Sequence, residues 1–152
     1  MSIQLRAINK YNWEECISLK LDEKQERYLP QNVYTLAESK FVEDMHIFGI
    51  YKGNLMVGFA AYVLDEDGDM NITRLMIDKS HQGMGYGKLA LIEIIEQIKR
   101  DYENKEIWLS IHPENNHAIY LYKAAGFKVT ETGLESSDEI FLKLDLNEYC
   151  FY

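Results

Sequence analysis

Ile3, Leu5 and Ala7 alternate with mostly polar partners, the period of a half-buried strand, and predict one over residues 3 to 8. The apolar spacing then lengthens, and Trp13–Leu19 and Glu23–Leu29 read as short helices, the second closed by Pro30 because a residue preceding proline is pushed out of the helical region. A further helix is expected from Thr35 to Glu43. Beyond it the pattern returns to strands. His46–Tyr51, a turn at Lys52, Gly53 and Asn54, Leu55–Leu64, a second turn over Asp65, Glu66, Asp67 and Gly68, and Met70–Ile77 together predict a three-strand antiparallel meander.

Leu91, Ile95, Ile98 and Tyr102 recur at i, i+4, i+7 and i+11, the stripe of an amphipathic helix running from about Tyr86 to Tyr102. A strand at Glu106–Ile111 follows, then a short helix from Asn115 to Ala125. Gly126 stops that helix, since it can take the left-handed conformation a helix end wants. Phe127–Thr130 and Glu139–Leu146 complete the pattern as strands. Helices both early and late around a largely antiparallel centre place the chain in the α/β class: a mixed, largely antiparallel central sheet flanked by helices, and not a doubly wound parallel fold. Pro30 and Pro113 are the only prolines and no repeat or linker interrupts the chain, so residues 1–152 are expected to form a single domain.

Charge narrows the partners. With 16 Lys and Arg against 25 Asp and Glu the formal charge is −9, which disfavours nucleic acid and favours small cationic molecules. Acid clusters at Asp22, Glu23 and Glu26, at Glu43 and Asp44, and at Asp65–Asp69 are solvated faces or a means of steering a polycation. Cys16 and Cys150 are too few for a disulfide framework and suit a reducing compartment. Met1–Asn9 lacks the pattern of an export signal and Leu55–Leu64 is half a membrane span, so a cytoplasmic protein without a membrane partner is expected. The four histidines lack metal-ligand spacing, and no metal is expected. Trp13 and Trp108 are expected in the core. The apolar tail Tyr149–Tyr152 either docks on the domain or on a second subunit, which leaves a homodimer open, or frays.

The run Gln82, Gly83, Met84, Gly85, Tyr86, Gly87, Lys88 lies between a strand and the amphipathic helix. Its glycines allow a tight turn and close approach to a ligand, and the helix start that follows offers unpaired N–H groups, so the segment reads as an anion cradle. It is not a P-loop, because Leu89 stands where Ser or Thr would bind magnesium. Nor is it a dinucleotide fingerprint, because Lys88 replaces the third glycine. By itself it is as readily a flexible turn.

Gln82, Gly85 and Gly87 match the Q/R-x-x-G-x-G/A signature, and Asn115 through Phe127 the N-x-x-A-x-x-L-Y-x-x-x-G-F motif, of the GNAT superfamily of N-acetyltransferases, which the chain therefore resembles over roughly residues 45 to 146. Trp13, Glu14, Glu15, Gln25, Glu26, Tyr28, Pro30, Asn32, Val33, Tyr34, Leu36, Ala37 and Glu38 further resemble the Gram-positive spermine/spermidine acetyltransferase branch. The resemblance implies acetyl-coenzyme A as cosubstrate. It implies a pyrophosphate held by the backbone of Gln82, Gly83, Met84, Gly85, Tyr86, Gly87 and Lys88, and pantetheine running along Leu75, Met76 and Ile77. Asn115 would contact the cofactor arm, Tyr122 would face the thioester sulfur, and Glu26 and Glu38 would line the amine pocket. Polyamines are the favoured acceptor. A protein N-terminus, or a non-catalytic acetyl-coenzyme A-binding module, are the alternatives.

The chemistry sets its own demands. An alkylamine with a pKa of about 10.4 must lose a proton before it attacks, which costs roughly 4 kcal/mol at neutral pH. On the strand before the glycine segment Asn71, Thr73 and Leu75 are expected on one face and Ile72, Arg74 and Met76 on the other, and none is a base. A water relay to Asp69 or Asp78, or a carboxylate from the N-terminal helices, is left for that role. Tyr122 would assist the departing thiolate, with Tyr120 pointing elsewhere as its internal control. A backbone N–H near Leu75–Ile77, at a break in strand pairing, would stabilise the oxyanion.

Overall fold

The computed structural model describes residues 2–149. In chain order the elements are β1 (Gln4–Ala7), α1 (Trp13–Ser18), α2 (Glu23–Glu26), α3 (Asn32–Glu38), β2 (Met45–Lys52), β3 (Leu55–Leu64), β4 (Met70–Ile77), a single 3-10 turn at Lys79–His81, α4 (Tyr86–Asp101), β5 (Glu106–Ile111), α5 (Asn116–Ala124), β6 (Lys128–Val129) and β7 (Ile140–Asp145). Seven strands form one sheet in the order β1-β2-β3-β4-β5-β7-β6. Every pairing is antiparallel except that of β4 with β5. This is the mixed, largely antiparallel sheet the periodicity implies.

The pleat divides the core into two layers. Under α4, whose Leu91, Ile94, Ile95 and Ile98 are buried, lie Ile50, Val57, Tyr62, Met70, Ile72, Ile107, Leu109, Leu142 and Leu144. Each such aliphatic side chain contributes roughly 1.5–3 kcal/mol on burial, so α4 is clamped to the sheet by its apolar stripe. Under α1 and α3 a smaller layer gathers Cys16, Tyr51, Met56, Phe59 and Met76, with Leu19, Leu29 and Leu36 at its margin.

Two features of β4 position the site. Its pairing with β3 steps from Ala61↔Arg74 to Tyr62↔Ile72, so Thr73 has no partner of its own and forms a bulge. The bulge reverses the faces beyond it, which corrects the simple alternation expected of this strand. Ile72 belongs to the α4 layer, as do Leu75 and Ile77, whereas Arg74 and Met76 turn toward α1 and α3. The second feature is a parting of strands. β4 pairs with β5 only at Met70↔Ile107 and Asn71↔Trp108. From there β5 continues alongside β7, and the β4 edge facing it is left unpaired through Ile77.

Other expectations need adjustment. α3 begins at Asn32 and ends at Glu38, earlier than the expected Thr35–Glu43, because Gln31 directly after Pro30 already takes the cap position. At the far end the Ser39 hydroxyl donates to the Leu36 carbonyl at 2.7 Å, and Phe41, 87% exposed, has no core to enter. Trp13 is 43% exposed and not in the core. Trp108 sits between buried Ile107 and Leu109, so the pleat turns it to the other face, where the Lys143 ammonium lies 5.5 Å from its ring centre. The tail prediction falls mostly on residues outside those described, although Tyr149 does pack against the larger core layer.

Candidate active site

The parted edge of β4, the glycine segment and α5 meet at one end of the sheet. Gly83 and Gly85 have φ of 81° and 82°, in the left-handed region where a Cβ is strained, so the turn into α4 depends on them. Gly85 is the N-cap of α4 and brings no side chain to cap it, which leaves the N–H groups of Tyr86, Gly87 and Lys88 free to bind an anion. Space on the outer side of the turn is open: a Cβ built on Gly83 or Gly85 meets no atom within 4 Å. The Tyr86 side chain is buried in the core, so only its backbone faces the cradle, while Met84 and Lys88 are exposed.

The Gln82 side chain anchors the segment. Its amide donates to the Ile77 carbonyl at 2.9 Å and to Oε1 of Gln25 at 2.8 Å, tying the loop to the end of β4 and to α2. Ile77 thus enters the site with its carbonyl already engaged. At Gly87 three elements converge, since a Cβ there would lie 3.7 Å from Leu121 of α5 and 3.9 Å from Ile77 of β4.

Tyr122, next to Leu121, is buried, and its ring packs edge-on against Phe127 with centroids 5.4 Å apart. Its hydroxyl has no hydrogen-bond partner among the described residues. Burial pushes the phenol well above its usual range, so it stays protonated at any working pH. Tyr120 is 78% exposed and faces away, as expected of the control position. Asn115 caps α5, its Oδ1 accepting from Ala118 N at 3.4 Å, which fixes the side chain at the start of that helix and leaves its amide N–H groups available.

Neither aspartate flanking β4 suits proton abstraction. Burial raises the Asp78 carboxyl, but hydrogen bonds from Lys20 N and Ser80 N, with the His81 ring 3.4 Å away, outweigh it and hold the group below the ordinary carboxylate range. Asp69 is pushed upward, by burial and then by Asp65, Asp67 and Glu106, but it stands at the end of β4 where β5 is still paired. At about 3.3 Å per residue it is roughly 20 Å from Leu75. Glu26, the last residue of α2, is exposed and borders a cavity of about 470 Å³ lined also by Lys20, Asp22, Glu23, Lys24 and Lys79. Glu38 ends α3, partly buried, and neither carboxylate is hydrogen-bonded among the described residues.

A polar group that the sequence reading passed over lies beneath α1 and α3. Arg74 is 2% exposed, donates from Nη2 to Oδ1 of Asn32 at 2.7 Å, and has no partner for Nε or Nη1. Asn32 in turn donates to the Cys16 carbonyl at 2.9 Å, joining α3, α1 and β4. Burial lowers the guanidinium to about 10 and pushes the Cys16 thiol up to about 12, so at neutral pH the arginine is charged and the thiol is not. An arginine at an inward-facing strand position was the only signal of this cluster in the sequence.

Residues 13–127 match the profile of the Acetyltransferase (GNAT) family. A protein of Bacillus subtilis subsp. natto described as a probable spermine N(1)-acetyltransferase is 35% identical over 135 residues, covering 84% of this chain and 89% of its own length. A [Ribosomal protein bS18]-alanine N-acetyltransferase of Haemophilus influenzae is 33% identical over 107 residues, 69% of each chain. Among solved structures, spermidine N-acetyltransferase from Vibrio cholerae in complex with CoA and spermine superposes with a TM-score of 0.76 at 16% identity, covering 97% of this chain and 98% of that one. The chain belongs to the GNAT family and is an N-acetyltransferase.

Among the described residues no helix is long and apolar enough to cross a membrane, and no cluster of His, Cys, Asp or Glu has the arrangement to hold a metal ion.

Proposed function

We propose that the protein transfers an acetyl group from acetyl-coenzyme A to a small amine, with polyamines such as spermidine and spermine as the acceptor class. The observation that carries the acceptor is the 35% identity over 84% of the chain to a probable spermine N(1)-acetyltransferase. The −9 charge and the free carboxylates Glu26 and Glu38 accord with a polycation.

The site fits the donor. The uncapped start of α4 and the outward space at Gly83 and Gly85 suit a pyrophosphate on the backbone of Gln82–Lys88. The unpaired edge at Leu75, Met76 and Ile77 suits an amide-bearing arm, with Asn115 beside it. The bound donor supplies an activated thioester carbonyl. The acceptor ammonium first releases its proton to solvent, the neutral nitrogen then forms the C–N bond as the C–S bond breaks, and the second proton lost by that nitrogen balances the one the departing thiolate takes up to leave as the free thiol. Edge N–H groups beyond the Thr73 bulge are free to receive the developing oxyanion. Tyr122 donates a hydrogen bond to the departing sulfur. Because burial makes the phenol a weaker acid, this bond strengthens as charge grows without early proton transfer.

Thiol release measured with spermidine, spermine, simple monoamines and a peptide bearing an N-terminal alanine tests the reading. Turnover is expected with the polyamines. Turnover confined to the peptide would favour the second reading, a protein N-terminus, to which the 33% identity with the ribosomal-protein enzyme points.

A further inference from the structure

Arg74 is the one charged side chain in the buried class among the described residues, and nothing in its surroundings neutralises it. The groups that face it are Asn32 of α3, which also contacts Met76, and the Cys16 thiol of α1. Only Cys16 is titratable and couples to it, and that thiol stays protonated. The nearby α1 carboxylate of Glu15 is directed to the backbone N–H of Met56 at 3.2 Å. A buried guanidinium without a counter-charge is costly, and a hydrophobe of similar volume would remove that cost. Its place along the chain is specific. Arg74 lies between the bulged Thr73 and Leu75, within the unpaired stretch of the β4 edge, and its side chain points to α1 and to α3, the helix that ends at Glu38.

We propose that Arg74 sets the charge state of the acceptor: its uncompensated positive charge, held at the acceptor side of the β4 edge, drives the reacting ammonium to give its proton to solvent and become the neutral nucleophile. This inference rests on the reading of the chain as an acetyltransferase of small amines. It supplies what the missing strand carboxylate leaves undone, because a fixed cation disfavours a second cation beside it without accepting a proton itself. It also orders a polyamine in the site. The distant ammonium groups go to Glu26 and Glu38, and the nitrogen nearest Arg74 is the one that is neutral and acetylated.

The test compares Arg74→Gln, which keeps a donor for Asn32 and loses the charge, with Arg74→Lys, which keeps both. Acetyl transfer is followed from pH 6 to 10 at saturating spermidine, with thermal melts of each variant. The acid limb is expected to move up by about one pH unit in Arg74→Gln, roughly tenfold in rate at neutral pH, and to converge with the wild type at high pH, while Arg74→Lys keeps the wild-type limb. Cys16→Asp gives Arg74 a counter-charge without removing it and is expected to shift the limb the same way, which keeps the question answerable if Arg74→Gln fails to fold. A weakly basic amine, neutral at pH 7, should be acetylated equally well by wild type and Arg74→Gln. A loss uniform across pH, or an unmoved limb in a folded variant, overturns the inference alone. No turnover by the wild type with any amine overturns the proposed function and this inference with it.

Discussion

Beneath α4 the sheet buries aliphatic side chains such as Leu91, Ile94, Ile107 and Leu142, whereas beneath α1 and α3 it encloses a guanidinium, a carboxamide and a thiol. The first face works by exclusion. A long apolar helix fixed by packing presents its N-terminus, through two glycines, to a strand edge, and the groups on offer belong to the backbone. The second face works by side chains: α1 and α3, six and seven residues long, are tied to β4 by Asn32 and Arg74, and α2 is held by the Gln25–Gln82 hydrogen bond. A common donor suits the first arrangement, and an acceptor that differs between relatives suits the second.

The comparison can be broken most sharply at Tyr122. Tyr122→Phe is expected to lower kcat by about 100-fold, near 2.7 kcal/mol of barrier, with little change in acetyl-coenzyme A affinity by calorimetry. Tyr120→Phe should leave both unchanged, and an equal loss there would remove the assignment. Next in size, Gly85→Val puts a β-branched residue at φ 82° and should weaken acetyl-coenzyme A binding by about tenfold while leaving the KM for the amine nearly unaltered.

Asp78 lies where the two faces join, accepting from Lys20 N after α1 and from Ser80 N before the glycine loop. Because its folded pKa is depressed, its contribution is complete above the unfolded value of about 4 and is lost as pH falls through the lower folded value. Asp78→Asn should cost about 1 kcal/mol in denaturant melts at pH 7, and the gap to wild type should close below about pH 4. The smallest effect belongs to Glu26→Gln and Glu38→Gln, each expected to raise the KM for spermidine about two- to threefold at low salt and less at high salt. A larger effect on spermine than on a monoamine would sharpen the case for a polycation.

How much of this could be read from the chain follows the same division. The strands Leu55–Leu64, Met70–Ile77 and Glu106–Ile111 and the start of α4 at Tyr86 stand where periodicity placed them, because long apolar stretches and glycines encode them locally. The glycine turn and the uncapped start of α4, where the donor is proposed to bind, were legible because backbone conformation leaves its mark as glycine spacing. The bulge at Thr73 was not, since a single unpaired residue depends on the register of a neighbouring strand. That one residue moved Ile72 away from Arg74 and put the guanidinium beneath α1 and α3 while Ile72 went under α4. The limits of α3 were missed for a related reason: Phe41 and Val42 look like core residues in sequence, yet Phe41 is almost wholly exposed and Val42 only partly covered.

The parting of β4 from β5 has one more consequence. A row of bare amides and carbonyls normally invites a strand of another molecule to zip onto it, which is why outer edges are blunted by charge or brevity. Here the bare row lies in the middle of the sheet, inside a wedge closed at Met70 and Asn71 and walled on its far side by a strand already committed to β7. The protein can thus keep main-chain groups vacant for a slender guest without offering a template for fibre growth.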